Sequence, residues 1–288
     1  MHCPQCDAEH PQKHNYCYEC GSPLKKNLKR TLTIDEIKRL LSLEFAFDAN
    51  RMIDEAIRVY TTILEQHPDW ADVHFKLANA YEASGDTARA IAEYKRAIAI
   101  NAAYMDAHRK LGELYSDEGL HQQAIEEFQS ILTTRAKRGY ADIHNNLGVA
   151  YAQAGELEKA IDEYRRAIDI NPSYIKAHYN LGNALMEKNE LKPAVKQYQK
   201  VLQLQPRDTM CLNNLGIAYA QLGHYKEAAS ALEEVVSLQP GNTRLLRNLG
   251  RVYQEMGKPS KAIDAYQKAL ELDPHDSHST AALATLMA

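Results

Sequence analysis

Apolar residues recur along this chain with the three-and-four spacing of amphipathic helices, and each helical stretch is short. The pattern is complete between Ala141 and Tyr174. Leu147, Gly148 and Tyr151 fall on one face of a first helix. Gly155 breaks that helix, because only glycine reaches positive φ without a Cβ penalty. Ala160, Ile161, Tyr164, Ala167 and Ile168 then mark the apolar stripe of a second helix. Asn171-Pro172 ends it, since proline disfavours helical backbone in the residue before it. One hairpin of this size cannot bury its apolar faces alone; it needs copies of itself on either side.

The copies are present. Leu-Gly pairs stand at Leu111-Gly112, Leu147-Gly148, Leu181-Gly182, Leu215-Gly216 and Leu249-Gly250, with weaker versions at Leu77-Ala78 and Leu43-Glu44. The aromatic four residues on is Phe47, Tyr81, Tyr115, Tyr151, Tyr219 and Tyr253, and Leu185 once. Ala56, Ala90, Ala124, Ala160, Ala194, Ala228 and Ala262 open the second helices; Pro68, Pro172, Pro206, Pro240 and Pro274 close them. This pattern resembles the tetratricopeptide repeat (TPR) family. The resemblance implies an all-α fold, a right-handed superhelical solenoid of seven helix-turn-helix repeats at 37–70, 71–104, 105–140, 141–174, 175–208, 209–242 and 243–276. Residues 277–288 read as a capping helix over the open apolar end, an element such arrays need for solubility. The third repeat is two residues longer and lacks the proline, so a longer loop is expected over 133–140. The second repeat has Ala102 where the proline would stand.

The first 24 residues follow a different rule. Cys3-Pro-Gln-Cys6 and Cys17-Tyr-Glu-Cys20 are two Cys-x-x-Cys pairs separated by ten residues. Two such knuckles complete a tetrahedral shell of thiolates. The segment resembles the short zinc ribbons at the N-termini of many bacterial proteins. One structural zinc is expected, with iron as the other metal an S₄ site accepts. So small a segment has almost no core, so metal binding would be its folding energy. Residues 25–36 follow as a basic linker, with Lys25, Lys26, Lys29 and Arg30, then a capping box from Thr33 to Glu36.

Composition narrows the partners. The net charge of −4 over 288 residues gives no global attraction to nucleic acid or acidic lipid. No apolar run approaches membrane-spanning length. The N-terminus lacks the apolar segment of a signal peptide, so a cytoplasmic setting is expected, and disulfides are not. No catalytic constellation stands out, and because the repeats take up most of these 288 residues no catalytic domain is expected among them. The remaining Asp and Glu residues read as solvated helix surface.

The TPR resemblance turns the second, fifth, sixth, ninth, twelfth and thirteenth positions of each first helix toward a concave groove. Position six is Asn146, Asn180, Asn214 and Asn248 in the last four repeats. In superhelices like the peptide-binding arm of O-GlcNAc transferase, such a ladder holds an extended chain, because an amide offers a donor and an acceptor whatever the ligand's side chains. Asn183, Lys176, Arg244, Arg247 and Arg251 share the groove, and arginine forks hold carboxylates well. Early repeats are acidic there, with Asp72, Asp106, Asp142 and Glu113. His74, His108, His144 and His178 repeat at position four. They read as packing residues, because equivalent positions sit roughly 8–10 Å apart and a shared metal needs bonds of about 2 Å. Cys211 reads as a small buried hydrophobe. The expected function is a non-enzymatic scaffold binding an extended peptide or partner segment, with the zinc ribbon as a second docking module. The alternatives are a regulator of a nucleic-acid process acting through the ribbon and linker, although nucleic acid is not the expected partner, or an accessory that delivers substrates to an enzyme on another chain.

Overall fold

The computed structural model describes residues 49–133 and 140–287. The four-cysteine segment, the basic linker, the first helix of the first repeat, the exit of the third repeat at 134–139 and Ala288 lie outside the described residues. Every regular element among the described residues is an α-helix. The chain divides into two compact units between Ala102 and Ala103. In the first, α1 (Ala49–Gln66) packs on α2 (Ala71–Ala83), and α2 on α3 (Thr87–Ile100). The second holds five hairpins: α4 (Met105–Asp117) with α5 (His121–Thr133), α6 (Ala141–Gln153) with α7 (Leu157–Ile170), α8 (Ile175–Glu187) with α9 (Leu191–Leu204), α10 (Thr209–Gln221) with α11 (Tyr225–Leu238), and α12 (Thr243–Glu255) with α13 (Pro259–Leu272). The last helix, α14 (Ser277–Met287), packs on α13.

The repeating residues of the sequence are the core. Leu111, Leu147, Leu181, Leu215 and Leu249 are buried, and so are Ala90, Ala124, Ala160, Ala194, Ala228 and Ala262 in the second helices, while Ala56 is half-buried. The pair glycine is demanded by the close approach of the two helices. A Cβ on Gly148 would lie 2.6 Å from the Tyr164 ring, one on Gly182 2.6 Å from Tyr198, and one on Gly216 2.7 Å from Leu232. The second repeat carries Ala78 at this place, fully buried.

The turn at Gly155 shows how each hairpin closes. Its φ is +78°, and the amides of Ala154, Gly155 and Glu156 donate to the carbonyls of Ala150, Ala152 and Tyr151. Those bonds satisfy carbonyls that a helix end would leave bare. Asn189 takes the same role in the fifth repeat at φ 61°, a region asparagine tolerates better than most residues. The second helices end without needing proline. Asn171, before Pro172, has φ −131° and ψ 92°; Asn101, before Ala102, has φ −130° and ψ 92°. Proline therefore reinforces a break already made by the turn to the next repeat.

Neighbouring repeats are tied by polar bonds at the rim of the core. Gln129 donates to the Tyr151 hydroxyl and Gln199 to that of Tyr219, each at 2.8 Å, while the Tyr253 hydroxyl donates to Glu233. Helix α14 closes the last apolar face: Ala282, Leu283 and Leu286 pack against a cluster that includes Tyr253, Ala262 and Tyr266.

Candidate functional site

In the second unit the first helices of successive repeats meet through their amide side chains. Asn180 Nδ2 donates to Asn145 Oδ1 at 3.0 Å, and Asn248 Nδ2 to Asn213 Oδ1 at 3.1 Å. Asn214 Nδ2 donates to Asn183 Oδ1 at 3.0 Å and to the Tyr179 hydroxyl at 3.2 Å. Asn146 Nδ2 reaches Glu113 at 3.4 Å. All four position-six asparagines therefore lie on one face formed by α4, α6, α8, α10 and α12, half-buried and hydrogen-bonded from helix to helix. Asn183 is anchored as well, since its Oδ1 also accepts from the Tyr198 hydroxyl at 2.7 Å. Asn145 and Asn213, one position earlier, are links that the sequence reading did not single out. The signal was the Asn-Asn doublet in alternate repeats.

The cations divide into two kinds. Arg109 is held by Asp106 and Glu113 at 3.3 and 3.2 Å. Arg247 donates to Asp276 at 2.9 Å, and Asp276 is only 6 % exposed. Arg247 is thus a tie to the N-terminus of α14 rather than a bare surface cation. By contrast, Lys176, Arg244 and Arg251 are exposed, and among the described residues no carboxylate pairs with them. The expected trio of arginines is split by the structure into one structural residue and two outward-facing ones.

The histidine ladder is a polar tie, buried at His74, His108 and His178 and half-buried at His144. Nδ1 of His74, His108 and His144 lies 2.6 Å from Glu93, Glu127 and Glu163, nineteen residues on, within the same hairpin. In the fifth repeat His178 meets Gln197 at 2.7 Å instead. His74 and His178 also face the carbonyl oxygens of Pro68 and Pro172 through Nε2, at 2.8 and 3.0 Å. Glu93 and Glu163, assigned to solvated surface by the sequence, are 7 % exposed. Burial without partners would make such carboxylates costly, so the histidines and the flanking Arg96 and Arg166 are what allow it. The constant nineteen-residue spacing was the available signal. Among the described residues no group of three or more His, Cys, Asp and Glu side chains could hold a metal ion. Cys3, Cys6, Cys17 and Cys20 lie outside those residues.

Cys211 is fully buried, and its thiol donates to the Tyr198 carbonyl at 3.3 Å. Burial, with Asp208 nearby, pushes the thiol up to about 12. The thiolate is the reactive form, so Cys211 should resist a thiol-labelling reagent in the native protein and react only once urea unfolds the second unit. Rapid labelling of the folded chain at Cys211, mapped by mass spectrometry, would contradict this packing.

Sequence models of the tetratricopeptide repeat match residues 46–108, 75–141, 210–242 and 243–276, and a TPR repeat model matches 150–189 and 182–223. The chain belongs to the TPR family. Its TPR hairpins have many solved counterparts. The C-terminal part of a TPR repeat-containing protein from Cytophaga hutchinsonii aligns at a TM-score of 0.68 with 20% identity, covering 81% of this chain and 95% of that one. YrrB, described as a TPR protein with an unusual peptide-binding site, aligns at 0.56 with 21% identity, covering 65% and 95%. The Cut9-Hcn1 hetero-tetramer of the APC/C aligns at 0.60 with 17% identity, covering 88% of this chain and 52% of that chain. These likenesses speak for the TPR fold. No curated protein matches the chain. No described helix of the TPR array is long and apolar enough to cross a membrane.

Proposed function

We propose that this TPR protein is an interaction scaffold that holds an extended segment of a partner protein on the face lined by α4, α6, α8, α10 and α12. The observation that carries the reading is the amide ladder through Asn146, Asn180, Asn214 and Asn248, half-buried and continuous along that face. A row of amides suits a peptide backbone, which presents a donor and an acceptor at every residue. The peptide-binding site of YrrB, on the same fold, supports a ligand of this class. Replacing Asn180 and Asn248 together with alanine is expected to weaken a partner segment by about 1–3 kcal/mol, at about 0.5–1.5 kcal/mol per neutral hydrogen bond. The same bonds tie successive helices, so a fall in unfolding free energy of similar size is expected alongside. Binding measured well below the variant's melting temperature separates the two effects. Unchanged affinity in the double variant would sink the assignment of this face.

The four N-terminal cysteines are proposed to hold one structural zinc, forming a second docking module in a reducing cytoplasmic setting. Purified full-length protein should then carry one equivalent of zinc. Cys17→Ser should lose it while the helical circular dichroism of the repeats is retained. Reduced, intact protein without zinc or iron would overturn the metal proposal and leave the scaffold reading untouched.

A further inference from the structure

The first-helix face alternates in chemistry from one repeat to the next. In the fourth and sixth repeats the position-six amide is closed by its own neighbour: Asn145 Nδ2 donates to Asn146 Oδ1 at 3.4 Å, and Asn213 Nδ2 to Asn214 Oδ1 at 3.2 Å. In the fifth and seventh repeats, Asn180 and Asn248 use Nδ2 toward the preceding repeat, and among the described residues nothing occupies their Oδ1. The cations without carboxylate partners follow the same alternation. Lys176 stands on α8 with Asn180; Arg244 and Arg251 stand on α12 with Asn248. Between them α10 offers Met210, 64% exposed, and half-buried Ile217, with no charge on either. Glu187 and Glu255 lie at the turn ends of α8 and α12 and do not pair with these cations.

We infer that the ligand of this face is an extended peptide segment with two acidic side chains about five or six residues apart. One carboxylate sits at Lys176 and the other at Arg244 and Arg251, while backbone N–H groups donate to Asn180 Oδ1 and Asn248 Oδ1. A small or apolar side chain between them covers Met210 and Ile217. The spacing follows from geometry: contacting helices lie roughly 8–10 Å apart, so two repeats advance roughly 16–20 Å, and an extended chain rises about 3.3 Å per residue. The acid at either end has a cation and an acceptor waiting; the residue in the middle has neither. Glu187 and Glu255 repel acids from the turn side and so bias where along each helix the carboxylate settles. This inference rests on the scaffold reading and names the partner's chemistry.

The test is selection of a random peptide library displayed on phage against the full-length protein, followed by fluorescence-anisotropy titration of the selected peptides. Peptides enriched for two acids at that spacing are the expected result. Changing either acid to its amide should cost about tenfold in affinity. Lys176→Ala should abolish the effect of one acid and leave the other's intact, while Arg244→Ala with Arg251→Ala does the converse. These cations are exposed, so the variants should fold, and circular dichroism checks it. Peptides that need Asn180 and Asn248 but show no paired acids would overturn this inference and leave the interaction face standing. Peptides insensitive to every one of these substitutions would overturn both.

Discussion

Gly148→Val is expected to destabilise the second unit by about 1–3 kcal/mol, the usual cost of forcing extra atoms into a packed core. The added Cβ alone would lie 2.6 Å from Tyr164 Cε1 and 3.2 Å from the Ala160 carbonyl oxygen. Tyr164 is 3 % exposed and Ala160 is fully buried, so neither can step aside without moving α7. Valine adds two methyls and stiffens the backbone further. Because each repeat contacts chiefly its neighbours, the damage should separate the array at that point, giving a lower urea midpoint and a broader or two-step transition. Ala78 supplies the control. It occupies the same place with its Cβ already accommodated, so Ala78→Gly should cost no more than about 1 kcal/mol through backbone entropy. Equal midpoints for Gly148→Val and the natural chain would show that α6 and α7 do not approach as closely as described.

Asp276→Ala is expected to release α14. The Asp276 carboxylate accepts from the Ser279 hydroxyl at 2.6 Å and from Arg247 at 2.9 Å, at the start of the helix that covers the last apolar face. Losing a helix cap costs about 0.5–2 kcal/mol, and a buried charge-assisted bond about 1.5–3 kcal/mol, so the helix should fray well below global unfolding. Hydrogen exchange should accelerate selectively in Ser277–Met287. Exposure of Leu283 and Leu286 should then promote self-association. The hydrogen bond from Ser279, together with Arg247, holds this carboxyl below its usual value of 3.8. A group depressed by folding stabilises above its unfolded value and loses that contribution as pH falls through the folded one. Protection of α14 should therefore be full at neutral pH and be lost progressively as pH falls below about 4, with the Asp276→Ala protein showing no such step. Arg247→Ala should weaken α14 in the same direction. Arg244→Ala should leave it intact, which separates the structural arginine from the outward-facing one.

The fold was readable because its determinants are local and repeated. Leu147, Gly148, Ala160 and Tyr164 lie within one hairpin, and their copies recur in register, so periodicity alone places the helices and their buried faces. What escaped were side-chain pairings decided across space. Glu93 and Glu163 look like any surface carboxylate until the histidine nineteen residues earlier turns toward them. Arg247 looks like its neighbours Arg244 and Arg251 until Asp276, twenty-nine residues on, claims it. The asparagine ladder was legible as a stripe. That half of its amides are closed by a partner and half open depends on hydrogen-bond direction, which no spacing encodes.

The scaffold reading is tested most directly by where a bound polypeptide touches the protein. A photo-crosslinking residue can replace Met210, exposed on the amide face, or Lys196, exposed on α9 among the second helices. Both variants would be expressed as the full chain and irradiated in cells. The account predicts polypeptide adducts from position 210 that disappear when Asn180 and Asn248 are also changed to alanine, and none above background from position 196. Adducts confined to position 196, or adducts at 210 indifferent to both asparagines, would contradict it.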